Sequence, residues 1–195
     1  NREGFFQLRD YYNKQGVRNW ANFYTLVCYG FNNMIRFNNK GEYNYSFGMN
    51  RSSFNPTLRE TFKKFVDCLK QIPIEFHVRD FRQLNVDGIT ENDFVYFDPP
   101  YWITTASYNA IWTEDTEKEL YKLLDKLNDR GIRFGVSNVL MHKGRTNEIL
   151  TRWCKDYQVH TLNYSYSNCN YQTSGNSQEV LITNYMPVNK LKKVS

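Results

Sequence analysis

Long apolar runs are missing from this chain of 195 residues. No stretch approaches the roughly 20 residues that a membrane-spanning helix needs, and nothing resembles a signal peptide, so no membrane role is expected. Cysteine is scarce too. Cys28, Cys68, Cys154 and Cys169 form no Cys-x-x-Cys pair, which favours reduced core thiols in a cytosolic protein over a disulfide framework or a zinc site. His77, His142 and His160 have no metal-ligand spacing either, so no metal is expected. Neither an internal repeat nor a low-complexity linker is present. What the chain does have is a hydrophobic fraction of 41% and an aromatic fraction of 17%, which excludes a disordered segment. Its length suits a sizeable core but not two large domains.

Positive charge is unevenly placed. Residues 1–79 carry 12 lysines and arginines against 6 acids, and residues 80–195 carry 13 against 14. The whole excess of +5 therefore originates in the first part of the chain. A modest basic bias is often only a solvated face; beside a site for an aromatic amine it fits a polyanion that carries its target base.

Such a site is suggested by Asp98-Pro99-Pro100-Tyr101, which follows the β-like run Phe94-Val95-Tyr96-Phe97. A strand ending in an acid, two prolines and an aromatic presents a carboxylate, a carbonyl corner and a ring face together. Asp98 and the carbonyl of Pro99 can accept the two N–H bonds of a flat heteroaromatic amine while Tyr101 stacks on its face. Both prolines fix φ near −65° and stiffen the turn. The alternative is a Pro-Pro stop after an edge strand, with Asp98 as a turn residue.

Residues 29–55 interleave aromatics with Asn32, Asn33, Asn38, Asn39, Asn44, Asn50 and Asn55 and with Arg36, Lys40 and Arg51. Amides and guanidinium groups read base edges and grip phosphates, and aromatic rings wedge into or stack on bases. Lys40-Gly41-Glu42 has the character of a hairpin tip. The competing reading is a loop-rich structural subdomain whose asparagines serve turns.

Helical apolar spacing marks residues 20–30 (Phe23, Leu26, Val27) and 57–70 (Phe62, Phe65, Val66, Leu69). With the hairpin they make a mainly helical lobe over 1–72. The region 73–195 reads as a separate α/β domain. Strands are expected at 74–78, 94–97, 132–136, 159–162 and 180–183, with helices through Leu120–Leu127, stopping at Gly131, and through Ile149–Trp153. Alternation of this kind implies a mostly parallel sheet with ligands beyond the carboxyl ends of its strands. Asp80 and Asp98 are both expected at such ends.

Taken together these segments resemble the Dam-like, DPPY-motif class of DNA adenine methyltransferases, in which the target-recognition region precedes the catalytic tetrapeptide. The resemblance covers YGFNNMIRFNNKGEYNYSFG (29–48), VRDF (78–81), VYFDPPY (95–101), IRFGVSN (132–138), YSNCNY (166–171) and EVLITNY (179–185).

That resemblance implies a Rossmann-like methyltransferase sheet beside a helical recognition lobe. It implies S-adenosylmethionine as methyl donor and double-stranded DNA as substrate, in the cytoplasm of a bacterial or phage-like host. It also implies a restriction system whose endonuclease acts on the same site. Asp98, Pro99, Pro100 and Tyr101 would be catalytic, gripping and stacking a flipped-out adenine. Asp80 and Phe81, with Asp98 at the border, would bind the cofactor. Phe31, Asn32, Met34, Arg36, Asn38 and Asn44 would contact DNA, Arg36 reading a guanine and Phe31 wedging into the duplex. Two departures stand out. The family's N-terminal strand and Gly-rich cofactor loop have no counterpart here, so this piece alone is expected to bind the cofactor poorly. Ser46 stands where GATC-specific members usually carry Pro. The alternatives are a catalytically incomplete DNA-binding fragment and an RNA amino-methyltransferase, although the latter families usually have Asn at the position of Asp98.

Overall fold

The computed structural model describes residues 1–14, 19–50, 53–104, 111–162 and 177–186. Arg51, Cys169, the YSNCNY segment and the basic tail at Lys190–Lys193 lie outside the described residues. The chain divides into two compact units, Asn1–Phe76 and His77–Ser195.

In the first unit, α1 (Arg2–Lys14) begins where the Asn1 side chain accepts the Gly4 N–H at 2.7 Å. Glu3 near its start and Lys14 in its last turn complement the helix dipole. Phe5 and Tyr12, two turns apart, share its buried face. The next helix, α2 (Trp20–Tyr29), is capped by Asn19 and buries Leu26 and Cys28. A small core forms from Phe5, Tyr12, Leu26 and Tyr43, with Phe6, Leu8, Phe23, Tyr29, Tyr45 and Phe47 packed against it. It is built mostly of rings, including a stacked Phe23–Phe37 pair at 5.9 Å. Helix α3 (Pro56–Leu69) starts with Asn55 as its cap and Pro56 in the first turn. The anticipated apolar stripe exists, yet no residue of α3 is buried. Phe62 touches Tyr24 at 5.0 Å, whereas Phe65 is 57% exposed.

The second unit is built on a mixed sheet ordered β1-β2-β5-β4. These strands are β1 (Phe94–Phe97), β2 (Arg133–His142), β4 (Gln158–Thr161) and β5 (Ser177–Thr183), with a short β3 (Arg145–Thr146) pairing the end of β2. Strand β1 runs parallel to β2 across helix α4 (Glu114–Asp129), with Val95 opposite Phe134 and Phe97 opposite Val136. Strand β5 runs antiparallel to both of its neighbours. The expected mostly parallel sheet is thus mixed among the described residues. Strand composition does not encode direction, and an antiparallel neighbour needs no helical crossover.

One face of this sheet presents Val95, Phe97, Phe134, Val136, Val180 and Ile182 to Leu120, Leu124 and Leu127 of α4 and to Leu150 of α5 (Glu148–Trp153). Helix α4 ends as expected: Gly131 takes φ +71° and its N–H bonds to the Asn128 carbonyl. On the other face Phe94 and Tyr96 remain 51% and 55% exposed.

The expected strand at 74–78 is not formed. Residues 74–80 carry no regular structure and pair with no strand among the described residues, and Phe76 and Val78 face solvent. Alternating polarity gives a segment the residues of a strand; only a paired neighbour makes it one.

Candidate functional site

The tetrapeptide occupies the carboxyl end of β1. Phe97 packs against the core, and the chain turns out of the sheet at Asp98. The Asp98 carboxylate is exposed and accepts no hydrogen bond from any described residue. Pro99, Pro100 and Tyr101 are half-buried. The turn is closed by Thr104, whose N–H and hydroxyl both donate to the Tyr101 carbonyl, at 2.9 and 2.8 Å, and by buried Ile103 beside it. The corner is therefore stiff behind and open in front: an acceptor pair with a ring next to it, suited to an amino group on a flat ring.

Asp80 does not end a strand. It caps the 3-10 turn Phe81–Gln83, accepting the Arg82 N–H at 2.9 Å. The Arg82 guanidinium grips the same carboxylate through Nε and Nη2, each at 2.7 Å, and reaches Glu119 of α4 at 3.2 Å. That guanidinium, joined by the backbone N–H, holds the Asp80 carboxyl down at about 2. Phe81 is half-buried against the main core, its ring 5.5 Å from the Trp112 indole. Phe81, Phe97 and Trp112 all pack on that one core cluster, so both acidic corners spring from its margin.

Sequence reasoning missed Glu117, which lies at the centre of the second unit. This carboxylate is completely buried and takes four donors. Trp112 Nε1 donates to Oε2 at 2.5 Å; Tyr121 Oη, Asn138 Nδ2 and Asn147 Nδ2 converge on Oε1 at 2.5, 3.0 and 3.1 Å. Burial, then the neighbouring carboxylate, pushes the Tyr121 phenol far up, so it stays a donor. One signal was available: Glu117 falls in register with Leu120, Tyr121, Leu124 and Leu127, an acid on an apolar stripe.

In the first unit the Asn-rich segment folds as expected around the tip at 40–42, with bridges Gly30–Phe47 and Phe37–Tyr43. Gly41 takes φ +72°. Asn38 serves the turn with most of its side chain: its Oδ1 accepts the Lys40 and Glu42 N–H groups and its Nδ2 donates one hydrogen to the Glu42 carboxylate. Asn44 donates its backbone N–H to the Arg36 carbonyl at 3.1 Å. The side chains of Asn32, Met34, Arg36 and Asn44 are exposed, while Phe31 is half-buried. Asn32 and Asn33 take positive φ, 52° and 55°, a conformation that asparagine tolerates well. Asn33 Nδ2 ties back to the Val27 and Cys28 carbonyls.

Behind this surface lies Tyr43, completely buried, whose hydroxyl donates to the Leu26 and Met34 carbonyls. Asn13 of α1 clamps its backbone with two 2.9 Å bonds, Nδ2 to the Tyr43 carbonyl and Tyr43 N–H to Oδ1. Gly30 leaves room for that phenol: a Cβ there would lie 2.9 Å from the Tyr43 hydroxyl and 3.0 Å from the Leu26 carbonyl oxygen.

Residues 1–168 match the family described as D12 class N6 adenine-specific DNA methyltransferase. The chain is 46% identical over 192 residues to the type II methyltransferase M.FokI of Planomicrobium okeanokoites. It is 39% identical over 194 residues to the modification methylase StsI of Streptococcus sanguinis, and in each case 95% of this chain and 29% of the relative are covered. The modification methylase LlaI of Lactococcus lactis is 33% identical over 190 residues, covering 94% and 29%. The chain thus spans about 29% of the length of these relatives.

Proposed function

We propose, from the premise that this chain belongs to the D12 class of N6 adenine-specific DNA methyltransferases, that it methylates adenine in a specific duplex DNA sequence within a type II restriction-modification system. The observation that carries this reading is the exposed carboxylate of Asp98, engaged by no described residue, in a rigid Asp-Pro-Pro-Tyr corner at the end of β1.

Asp98 and the Pro99 carbonyl accept the two N–H bonds of the adenine amino group, and Tyr101 stacks on the ring. The amine lone pair is conjugated with that ring. Two acceptors favour a more pyramidal nitrogen, and the carboxylate offsets positive charge as it develops there. Reaching the corner requires the base to leave the duplex stack, at a cost of roughly a few kcal/mol that protein contacts must offset.

S-adenosylmethionine, when bound, supplies an electrophilic methyl group on its sulfonium. The Asp80–Phe81 turn offers an acceptor and an apolar wall that suit its adenine. A carboxylate offers about four lone-pair sites; Arg82 fills two on Oδ1 and one on Oδ2, leaving Oδ2 one site for an exocyclic amine. Phe81 supplies the adjacent apolar wall, and Asp98 borders the same cofactor.

The Asn1–Phe76 unit is the recognition part in this reading and His77–Ser195 the catalytic part. Arg36 reads a guanine, and Phe31, Asn32, Met34, Asn38 and Asn44 add wedge, base and phosphate contacts. The site is GATC or a relative of it. Ser46 uses its backbone carbonyl to accept the Phe31 N–H at 2.8 Å, a bond that a proline at that position would also make. The sheet is Rossmann-like in this reading, and the exposed Phe94 and Tyr96 leave part of one face open. A restriction endonuclease of the same specificity is the partner activity.

The test is Asp98→Ala in the whole expressed polypeptide. Tritium transfer to duplex DNA should fall by about 10²-fold or more while DNA affinity changes only a few-fold. Undiminished transfer would refute the assignment, and preferential transfer to RNA would redirect it to an RNA amino-methyltransferase. A wild-type protein that binds DNA but transfers nothing would point to a DNA-binding remnant.

A further inference from the structure

We propose that Glu117 and Trp112 form a positioning pair that sets the Asp80–Phe81 turn for the adenine end of S-adenosylmethionine; this deepens the function proposed above and rests on it. Phe81 packs on the core cluster, and beyond that the turn makes two specific contacts, among the described residues, with α4 and the segment before it. One is the Arg82–Glu119 ion pair, 54% and 47% exposed, and exposed pairs hold geometry weakly. The other is the Phe81 ring against the Trp112 indole. Trp112 stands just before Thr113, the cap of α4; its indole packs on the core cluster, and the bond from Nε1 to Glu117 Oε2 is its directional contact.

The two oxygens of Glu117 are used unequally. Oε1 gathers Tyr121, Asn138 and Asn147, joining α4 to β2 and to the cap of α5. Oε2 serves Trp112 alone among the described residues. One oxygen therefore secures the fold, and the other aims a single indole at the turn that carries Asp80.

This asymmetry makes Glu117→Gln a selective perturbation. Three donors hold the amide oxygen at the Oε1 position, which turns the NH2 group toward the indole N–H. Two donors then face each other and Trp112 loses its acceptor, while the three bonds that join α4, β2 and α5 remain. Trp112→Phe removes the same bond from the other side and keeps an aromatic ring beside Phe81.

The experiment is a double-mutant cycle in the whole expressed polypeptide, reading the Kd for S-adenosylmethionine by calorimetry and the urea midpoint of each variant. Glu117→Gln should weaken binding several-fold, because a turn no longer held by Trp112 must be ordered at the moment of binding. It should raise the KM for S-adenosylmethionine and leave kcat at saturation close to wild type. In the Trp112→Phe background the same change should leave Kd within about twofold, because the bond it breaks is already gone. Should Glu117→Gln not fold, Trp112→Phe alone must still weaken binding several-fold under conditions where its urea curve shows it fully folded. An unaltered Kd in either single variant overturns the proposal, as does an equal loss from Glu117→Gln in both backgrounds, which would mark Glu117 as a stability residue only. A wild-type protein that binds no S-adenosylmethionine refutes the proposed function itself and this inference with it, a result distinct from the other two.

Discussion

Removing one side chain of α1 should loosen the hairpin that carries Arg36. Asn13→Ala deletes both 2.9 Å bonds to the Tyr43 backbone. Each such bond contributes a net of about 0.5–1.5 kcal/mol, and a buried backbone group left unpaired costs about 1–3 kcal/mol. Asn13 is only half-buried, so water can reach part of the gap; a loss of about 2–3 kcal/mol is expected. At 1.4 kcal/mol per tenfold, the Tyr43 amide should then exchange its hydrogen roughly 10²-fold faster, which exchange mass spectrometry resolves at this peptide. Tyr43→Phe serves as the contrast. Its hydroxyl bonds are long, 3.4 and 3.3 Å, so losing them should cost less than about 1 kcal/mol. That phenol also sets an alkaline limit, since burial raises it to about 12 from the ordinary 10. A raised folded value means that the stabilisation is intact below pH 10 and is lost as pH climbs from 10 through 12. Tyr43→Phe should therefore flatten the stability curve of this unit above pH 10. Should Asn13→Ala change exchange at Tyr43 less than threefold, or should Tyr43→Phe prove the more damaging, the clamp is not what holds the hairpin.

Gly30→Ala should destabilise the same unit by about 1–3 kcal/mol, because its new methyl meets the Leu26 carbonyl oxygen as well as the Tyr43 hydroxyl; a thermal midpoint equal to wild type would argue against that crowding. Arg82→Ala should return the Asp80 carboxyl from about 2 toward the ordinary value near 4, read by carbon NMR during an acid titration, and a carboxyl still near 2 would remove Arg82 as the cause. Arg36→Ala should relax discrimination at one base pair by about 1–3 kcal/mol, seen as a widened set of methylated sequences; unchanged selectivity would take Arg36 out of base reading.

Local signals were legible where short-range chemistry decides the outcome. Strand β1 was readable because Phe94–Phe97 is bounded by a Pro-Pro corner, and α4 because Leu120, Leu124 and Leu127 share one face and Gly131 stops the helix. The turn at 40–42 followed from Gly41. Long-range facts were not legible. The segment at 74–78 alternates like a strand but joins no described strand, and nothing in Ser177–Thr183 announces that it runs antiparallel between β2 and β4. Helix α1 was not singled out. Its Phe5, Phe6, Leu8, Tyr11 and Tyr12 cover too much of its circumference to mark one stripe, and only contact with α2 and Tyr43 selects the buried side. At the site, Asp98 and Asp80 could be named from their motifs. The partners that engage Asp80, and the absence of any described partner for Asp98, could not.

The richness in aromatic residues acquires a reason from what α4 does with its acids. Glu117, Tyr121 and Asp125 fall one turn apart on the same side of the helix. Glu117 binds Trp112 and Tyr121; Asp125 accepts Trp153 Nε1 and Tyr157 Oη, both at 2.7 Å. Tyr121 and Trp153 then stack at 4.4 Å with planes 7° apart, closing a chain of rings and carboxylates from Trp112 to Tyr157. Leucine at 117 would avoid burying a charge, and such replacements are often neutral or stabilising. It would also leave the indole N–H without a directional partner, since apolar contacts are not directional. A buried carboxylate is a poor choice for stability alone and a good one for direction, because each oxygen accepts donors only along defined lines. The position that most needs direction is Trp112, which alone among these rings packs on Phe81. The cost of the buried charge is thus accounted for by direction on both sides: Oε1 joins α4 to β2 and to the cap of α5, and Oε2 orients a single indole.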